Sequence, residues 1–255
     1  MKKSWRSWEV TTLGFIPVLV AMGVLLCGPL WENTLLGVAT LSAQAPLYNP
    51  PKRGAPASSV GGGTRGPGDD RPSIFVLAPD HLGFTTRPQP ELYWYLSKDS
   101  QSPIKVILND DTSIEPILET VLPPPIKAGI HRVQLATHKI RLQPDMLYEW
   151  FIALVIGTDQ PSESVVAGGT ITYIGPDNAR VQQANRALQT ASNPAEAWRL
   201  YAASGIWYDA VSALCQRILQ ISGPTPQAAD LLKQRATLLS EVGLAEIPMD
   251  AKQHP

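Results

Sequence analysis

The sequence predicts an α+β fold, in which an antiparallel β-sandwich at residues 73–175 is followed by a C-terminal helical region at residues 176–243. The first stretch consists of short β-branched and aromatic runs separated by joints rich in Pro, Asn and Asp, a pattern typical of strands. In the second stretch Ala, Leu, Gln and Arg dominate, and apolar residues recur at helical spacing. Each stretch therefore has the composition of its predicted structure.

Seven segments of the first stretch are predicted strands, and seven short strands favour a sandwich. They are residues 74–77, 91–96, 104–108, 114–121, 130–135, 147–156 and 165–174. In the second of them Trp94 lies between Tyr93 and Tyr95. Because side chains alternate between the two faces of a strand, we expect Trp94 to anchor the core and both tyrosines to face the other way.

The segment from Leu142 to Trp150, with Tyr148 two residues before its end, resembles a corner found in immunoglobulin-like and fibronectin type III-like domains. In those domains a tyrosine hydroxyl at this corner bonds to backbone a few residues upstream. The resemblance implies such a bond from Tyr148 and a sandwich of that kind. The alternative is an aromatic strand with no special corner.

Capping residues divide the second stretch into helices. Asp177 is expected to cap a first helix ending near Thr190, and Asn193 precedes a second helix beginning at Pro194. A third helix carries an apolar stripe, and Thr225 is expected to cap a fourth. The stripe comprises Trp207, Ala210, Val211, Leu214 and Ile218. Arg235 interrupts the otherwise apolar face of the fourth helix.

Part of this stretch resembles a tetratricopeptide helical hairpin. The resemblance rests on the spacing of Tyr201, Gly205, Trp207, Ala210, Leu214 and Ile218. It covers one hairpin and part of a second, whereas such modules need about three repeats to bury a continuous core. We therefore expect these helices to pack on the sandwich, with a free-standing peptide-binding groove as the alternative.

Residues 1–45 have the order of a signal peptide, with Lys2 and Lys3 before a charge-free run at 10–31 and Ala43-Gln44-Ala45 after it. The run is long enough to cross a bilayer, so it could instead be retained as a membrane anchor. Lipidation at Cys27 is a third interpretation. The first two place the rest of the chain in the periplasm or outside the cell, with membrane contact only through an uncleaved leader.

Charge and cysteine content exclude some function classes. The 255 residues contain 21 Lys and Arg and 22 Asp and Glu, a net charge of −1, whereas a nucleic-acid-binding chain has a clustered basic excess. Residues 1–45 contribute three of the basic and two of the acidic residues, so the remainder is also near neutral. Outside them Cys215 is the single cysteine, so an exported chain could form no intrachain disulfide.

Residues 46–72 are rich in Pro, Gly and Ser and are predicted to be a linker. They contain a G-x-G-x-x-G sequence, but it neither follows a strand nor opens a helix, which argues against nucleotide binding. Consecutive glycine N–H groups beside arginines could instead bind an anion. The candidate residues are Arg53, Gly61, Gly62, Gly63 and Arg65. The alternatives are a segment docked on a sheet edge and a disordered one.

Other candidate sites are weaker, and the sequence predicts no catalytic, cofactor-binding or metal-binding residues. His131 and His138 lack partners at ligand spacing, so we expect no metal site there. The run 109–112 is better explained as a turn than as a calcium loop. Cys215 lies on an apolar helix face, where a thiol is usually a small buried hydrophobe.

Five pieces of sequence, taken together, resemble the cyanobacterial domain of unknown function (DUF) 928 family. They are Arg53-Gly54-Ala55-Pro56, the glycine run 61–66, Tyr93-Trp94-Tyr95, Tyr148-Glu149-Trp150 and the segment 205–210. The resemblance covers roughly residues 50–243 and implies an exported cyanobacterial protein, without an activity. This chain departs from the family by lacking a cysteine between the glycine run and the first strand and another near residue 157.

These features together favour a non-enzymatic interaction or structural module of the cell envelope. Its partner is expected to be an envelope protein or a glycan. The alternative is an envelope hydrolase similar to a glycosidase, whose carboxylate pair is assembled only by the fold. Residues 244–255 are a short tail with no predicted role.

Overall fold

The computed structural model describes residues 46–51, 71–155 and 165–254, which form eight strands and four α-helices. The strands are β1 (Ile74–Val76), β2 (Gly83–Thr85), β3 (Glu91–Leu96), β4 (Ile104–Asp110), β5 (Leu118–Leu122), β6 (Gly129–Gln134), β7 (Leu147–Leu154) and β8 (Val165–Tyr173). The helices are α1 (Ala179–Thr190), α2 (Ala197–Ala203), α3 (Trp207–Leu219) and α4 (Pro226–Ser240). A 3-10 turn, Pro194–Glu196, precedes α2.

The strands form two sheets, which confirms the predicted α+β class. The narrower sheet has the order β1-β3-β6, and the wider sheet has the order β2-β8-β7-β4-β5. Neighbouring strands are antiparallel except for β2 and β8, which are parallel. The sheets meet where β1 packs on β7 and β8. Trp94 of β3 and Trp150 of β7 are completely buried in the core, as expected for Trp94.

Six of the seven predicted strands correspond to β1, β3, β4, β6, β7 and β8. The predicted strand 114–121 begins too early, because the Asp110 carboxylate accepts hydrogen bonds from the backbone N–H groups of Thr112 and Ser113 and holds a turn there. Ile114 is fully exposed in this region, and β5 begins only at Leu118. Strand β2 was not predicted, since three residues are too few to show alternation.

The helical region packs on the sandwich, as expected. Helix α3 lies against β2 and β3 and also contacts α2 and α4. Tyr93 and Tyr95 are buried as well as Trp94, so side chains on both faces of β3 are covered, and helix α3 lies against this strand.

The caps differ slightly from the predicted ones. Asn178, rather than Asp177, caps α1 by accepting a hydrogen bond from the N–H of Arg180. Asn193 caps the 3-10 turn instead of α2 directly. Thr225 caps α4 as predicted, accepting from the N–H of Ala228. None of the helices in the described ranges is long and apolar enough to cross a bilayer, and the predicted span 10–31 lies outside those ranges.

Residues 47–49, at the beginning of the predicted linker, dock on the helices, while the glycine run for which docking on a sheet edge was considered lies outside the described residues. The N–H groups of Leu47 and Tyr48 each donate a 2.8 Å hydrogen bond to the carboxylate of Glu241. The N–H of Asn49 donates to the carbonyl of Ala202. The Tyr48 ring also packs edge-on against Trp207, with ring centroids 4.9 Å apart.

Candidate functional site

The anion site suggested by the sequence lies outside the described residues. Its members are Arg53, Gly61, Gly62, Gly63 and Arg65. That hypothesis therefore stays a prediction.

Two edge strands face each other across a groove. Strand β5 ends the wider sheet and β6 ends the narrower one. Pairing of β5 with β4 places Thr120 opposite Val106 and Leu122 opposite Ile104, so these side chains share one face of the sheet. We call the opening between β5 and β6 the edge groove. Its lining residues are Val106, Thr120, Leu122, Arg132, Val133, Gln134, Thr137 and His138.

The edge groove combines an apolar base with polar side chains. Val106 and Val133 are buried, while Thr120, Gln134 and His138 are only partly covered. The side chains of Thr120, Thr137 and His138 can donate hydrogen bonds here, whereas those of Arg132 and Gln134 donate to Glu91 on the other face of the sheet. The eight lining residues include no carboxylate. The groove has a volume of about 160 Å³, well below that of pockets for drug-sized ligands. It therefore fits a side chain or a single small group.

A partly covered carboxylate, that of Glu91, lies on the opposite face of the narrower sheet. Oε1 of Glu91 accepts hydrogen bonds from Arg132 and Gln134, both at 3.0 Å. Its Oε2 accepts from three further side chains: Tyr93 at 2.7 Å, Ser212 at 2.9 Å and Gln216 at 2.8 Å. We call these six residues the Glu91 cluster. It joins β3 and β6 to helix α3.

Glu91 is held in its ionised form. Burial alone raises the pKa of a carboxyl group, but the hydrogen bonds from Gln134, Tyr93, Gln216 and Ser212 outweigh burial and lower the pKa of Glu91 to about 2. A carboxylate with so low a pKa is a poor general acid at neutral pH. The chemistry of the Glu91 cluster is therefore that of a structural joint.

Two more contacts fix the start of α3. The Asp209 carboxylate accepts hydrogen bonds from the N–H and the hydroxyl of Thr86, at 2.9 and 2.8 Å. The Tyr208 hydroxyl accepts from Trp150 Nε1 and donates to the carbonyl of Thr170. Gly83 makes room for this tyrosine, since a Cβ there would lie 2.6 Å from its ring.

The histidines and the cysteine of interest lie in three different places. His138 lines the edge groove, whereas His131 stacks between Trp94 and His254. Cys215 is completely buried, and burial raises its thiol pKa to about 12. The described ranges contain no group of three or more His, Cys, Asp and Glu side chains that could hold a metal ion.

Sequence reasoning missed most of the groove. Strand β5 was misplaced, so Thr120 and Leu122 could not be assigned a common face with Val106. The signal that was available is the polar sequence of Arg132, Gln134 and Thr137 at the end of β6. The expected hydrogen bond at the corner is confirmed, because the Tyr148 hydroxyl accepts from the N–H of Gln143 at 2.9 Å.

Comparison with known proteins identifies the family. The model of the Domain of Unknown Function family DUF928 matches residues 60–251. The chain belongs to the DUF928 family. No curated protein and no solved structure gives a significant match. The DUF928 match includes the edge groove and the Glu91 cluster, and it ends before Gln253 and His254.

Proposed function

We propose that this DUF928 protein is an exported, non-enzymatic interaction module of the cell envelope, and that its edge groove binds an extended segment of an envelope protein. The observation that carries the proposal is the position of the groove beside an edge strand. An extended segment can add to such an edge through main-chain hydrogen bonds while its side chains enter adjacent pockets.

The geometry of β5 supports this mode of binding. Within the described residues β5 is paired on one side only, with β4. Val121 exposes 52% of its surface there, while Thr120 faces the groove. An exposed apolar edge with a small polar pocket offers a partner both main-chain pairing and side-chain selection. The pocket holds about one side chain at a time, which suits a strand better than a bulky ligand.

The proposal also includes a finer description of the fold. The order β1-β3-β6 facing β8-β7-β4-β5, with β2 added in parallel, supports an immunoglobulin-like or fibronectin type III-like sandwich. The hydrogen bond between Gln143 and Tyr148 supports the same interpretation. Gly205, with φ of +73° between α2 and α3, supports a tetratricopeptide-like hairpin.

Export rests on the order of features in residues 1–45. A cleaved signal peptide and an anchor at residues 10–31 both deliver the sandwich to the periplasm or the cell exterior. A cyanobacterial origin is what the family resemblance implies. Recovery of the native chain dissolved in the cytoplasm with Met1 intact would contradict export.

Site-specific photocrosslinking in cells tests the binding site. A photoreactive amino acid placed at Val121 of the full chain is expected to form an adduct with an envelope protein. Thr120→Trp, which fills the groove, is expected to remove that adduct. The matched control is the same photoreactive residue at Leu147, which is 37% exposed on β7.

Each other outcome argues against a part of the proposal. Equal adducts from both positions, or none from either, would contradict binding at the groove. An adduct with a polysaccharide would mean that the partner is a glycan and not a protein. Release of soluble sugar from envelope material by the purified chain would support the hydrolase instead.

A further inference from the structure

The C-terminal residues 247–254 form a strap that lies along strand β6. The N–H of Ile130 donates to the carbonyl of Lys252 at 2.7 Å, and the N–H of His254 donates to the carbonyl of Ile130 at 2.8 Å. Gln253 thereby forms a parallel bridge with Ile130. The strap thus extends the narrower sheet by one short pairing beyond β6.

One residue of β6 is shaped for this contact. A Cβ at Gly129 would lie 2.4 Å from the carbonyl oxygen of Lys252 and 2.9 Å from Nε2 of His254. Gly129 also has φ of +134°, which is strained for other residues. A side chain at position 129 is therefore incompatible with the docked end of the strap.

Arg235 holds the first half of the strap. Its side chain is buried, and Nη2 donates to the carbonyls of Met249 and Ala251 at 3.1 and 2.9 Å. Its Nη1 lies 3.3 Å from Oε1 of Gln253. The arginine that interrupts the apolar face of α4 thus has a structural role, since it satisfies strap carbonyls that would otherwise lack donors.

Two imidazoles stack where the strap ends. The rings of His131 and His254 have centroids 4.6 Å apart and are inclined by 15°. His131 stacks on its other side against Trp94, also at 4.6 Å. Nε2 of His131 lies 2.7 Å from the carbonyl of Lys127, and Nε2 of His254 lies 2.9 Å from that of Ala128. Neutral rings with a hydrogen on Nε2 satisfy both carbonyls.

The two stacked histidine rings have different charged neighbours. Asp99 interacts electrostatically with His254, but its carboxylate also accepts from Lys127 Nζ and from the N–H of Ala128, both at 2.8 Å. Lys252 and Asp250 belong to the strap itself, and Asp250 interacts with Arg235 and Tyr95. His254 therefore has an acidic neighbour, whereas a second proton on His131 lies between the rings of Trp94 and His254.

We propose that the strap is an acid-released latch, in which protonation of His131, stacked against the ring of His254, detaches residues 252–254 and uncovers the Ile130 edge of β6. Residues 247–251 stay bound through Arg235, whereas release of residues 252–254 also breaks the hydrogen bonds of the Gln253 side chain to Arg235 and to the carbonyl of Cys215. A charge on His131 favours contact with water, and departure of the terminal ring exposes one face of its imidazole. This device is independent of the edge groove and of the proposed partner.

The direction of the pH effect follows from His131. Burial lowers the pKa of His131 below its ordinary value of 6.5, and the neighbouring His254 lowers it further, against the opposing effect of the Lys127 carbonyl. A base whose pKa is lower in the docked form binds protons more readily when released. Acidification below about pH 6.5 therefore favours release, by about tenfold for each unit of pKa difference.

Hydrogen exchange of the full purified chain, followed by mass spectrometry, tests the latch. After correction for intrinsic rates, protection at Ile130 and His254 is expected to be lost progressively from pH 7.5 to pH 5.0. Protection at Ala251, whose N–H donates to the carbonyl of Pro248, is expected to stay unchanged. Equal protection of Ile130 at both pH values would overturn the proposal.

Variants separate the latch from general acid unfolding. His131→Gln is expected to keep Ile130 protected at pH 5.0, and His138→Gln, in the edge groove, is expected to respond as the wild type does. Gly129→Ala is expected to remove the protection at both pH values. If His131→Gln does not fold, His254→Gln takes its place, because it removes the ring that stacks on His131. A pH response that persists without either histidine would contradict the latch.

Discussion

The two faces at the edge of the narrower sheet use polar residues in opposite ways. In the Glu91 cluster a single carboxylate accepts five hydrogen bonds and is largely shielded from water by helix α3. In the edge groove, the polar side chains of Thr120, Thr137 and His138 surround an opening with no carboxylate among its lining residues. Polar side chains alone therefore do not identify a binding site. Where their hydrogen-bonding groups are paired within the protein they hold elements together, and where those groups are unpaired they can bind a ligand.

The largest effect is expected from removing the carboxylate of the joint. Glu91→Ala leaves Arg132 without its 3.0 Å partner and removes the acceptor of two α3 side chains. Each hydrogen bond to a charged group contributes about 1.5–3 kcal/mol, so the loss of this partly covered carboxylate, which accepts five, is expected to lower the free energy of unfolding by about 3 kcal/mol. Urea unfolding measures the loss as a lower midpoint at unchanged slope.

A surface pair provides the matched control. Glu119 pairs with Lys105 at 2.8 Å, but both side chains are well exposed. Glu119→Ala is expected to cost less than about 1 kcal/mol, as solvent-exposed pairs do. Similar losses in the two variants would mean that Glu91 is not the joint between α3 and the sheet.

Lowering the pH is expected to weaken the hydrogen bonds of Glu91 in the wild-type protein as well. The pKa of Glu91 falls from 4.5 to about 2 in the folded chain, so ionised Glu91 favours folding at pH values above 4.5. That contribution is lost as the pH falls from about 4.5 towards 2. Free energies of unfolding measured across this range should decrease more steeply for the wild type than for Glu91→Gln. Parallel curves for the two proteins would contradict the assignment.

A smaller loss of stability is expected at Tyr208, where α3 contacts the buried Trp150. Tyr208→Phe removes the hydroxyl that accepts from Trp150 Nε1 and donates to Thr170, leaving two buried groups unpaired. The expected cost is about 1–3 kcal/mol. Tyr148→Phe is the control, because its hydroxyl accepts a single bond from backbone and should cost less. Thermal unfolding of both variants decides the order, and the reverse order would contradict this account.

The composition and spacing of the sequence predicted the sheets and helices of this fold, but not the contacts between particular side chains. Alternation around Trp94 and the apolar stripe of α3 were enough to predict two sheets with helices packed on them. Those patterns report burial, which is a property of each segment by itself. They therefore identify the elements without fixing their partners.

The Glu91 cluster and the edge groove were not predicted, because each depends on distant segments. Glu91 meets Ser212 and Gln216 only when α3 docks more than 120 residues further along the chain. The groove needs the register of β5, which the turn at Asp110 shifts to a later start. The buried role of Arg235 was signalled only as a break in an apolar pattern.

The smallest effect on stability is expected at His138, which lines the edge groove. His138→Ala should change the free energy of unfolding by no more than about 0.5 kcal/mol, as surface substitutions usually do.

Gln134 lines the groove and also donates to Glu91, so Gln134→Ala should cost about 1.5–3 kcal/mol, as loss of a hydrogen bond to a charged group does. Arg132 is shared in the same way.

If the groove binds a partner, both variants should weaken the Val121 adduct although only Gln134→Ala weakens the fold. Unfolding curves and crosslinking yields, measured on the same preparations, separate the two effects. Loss of the adduct in Gln134→Ala alone would mean that the helix joint, rather than the groove, governs binding. Because Arg132 and Gln134 donate to Glu91 on one face of β6 and border the groove with the same strand, docking of α3 fixes the position of one wall of the groove. The joint and the opening thus share strand β6.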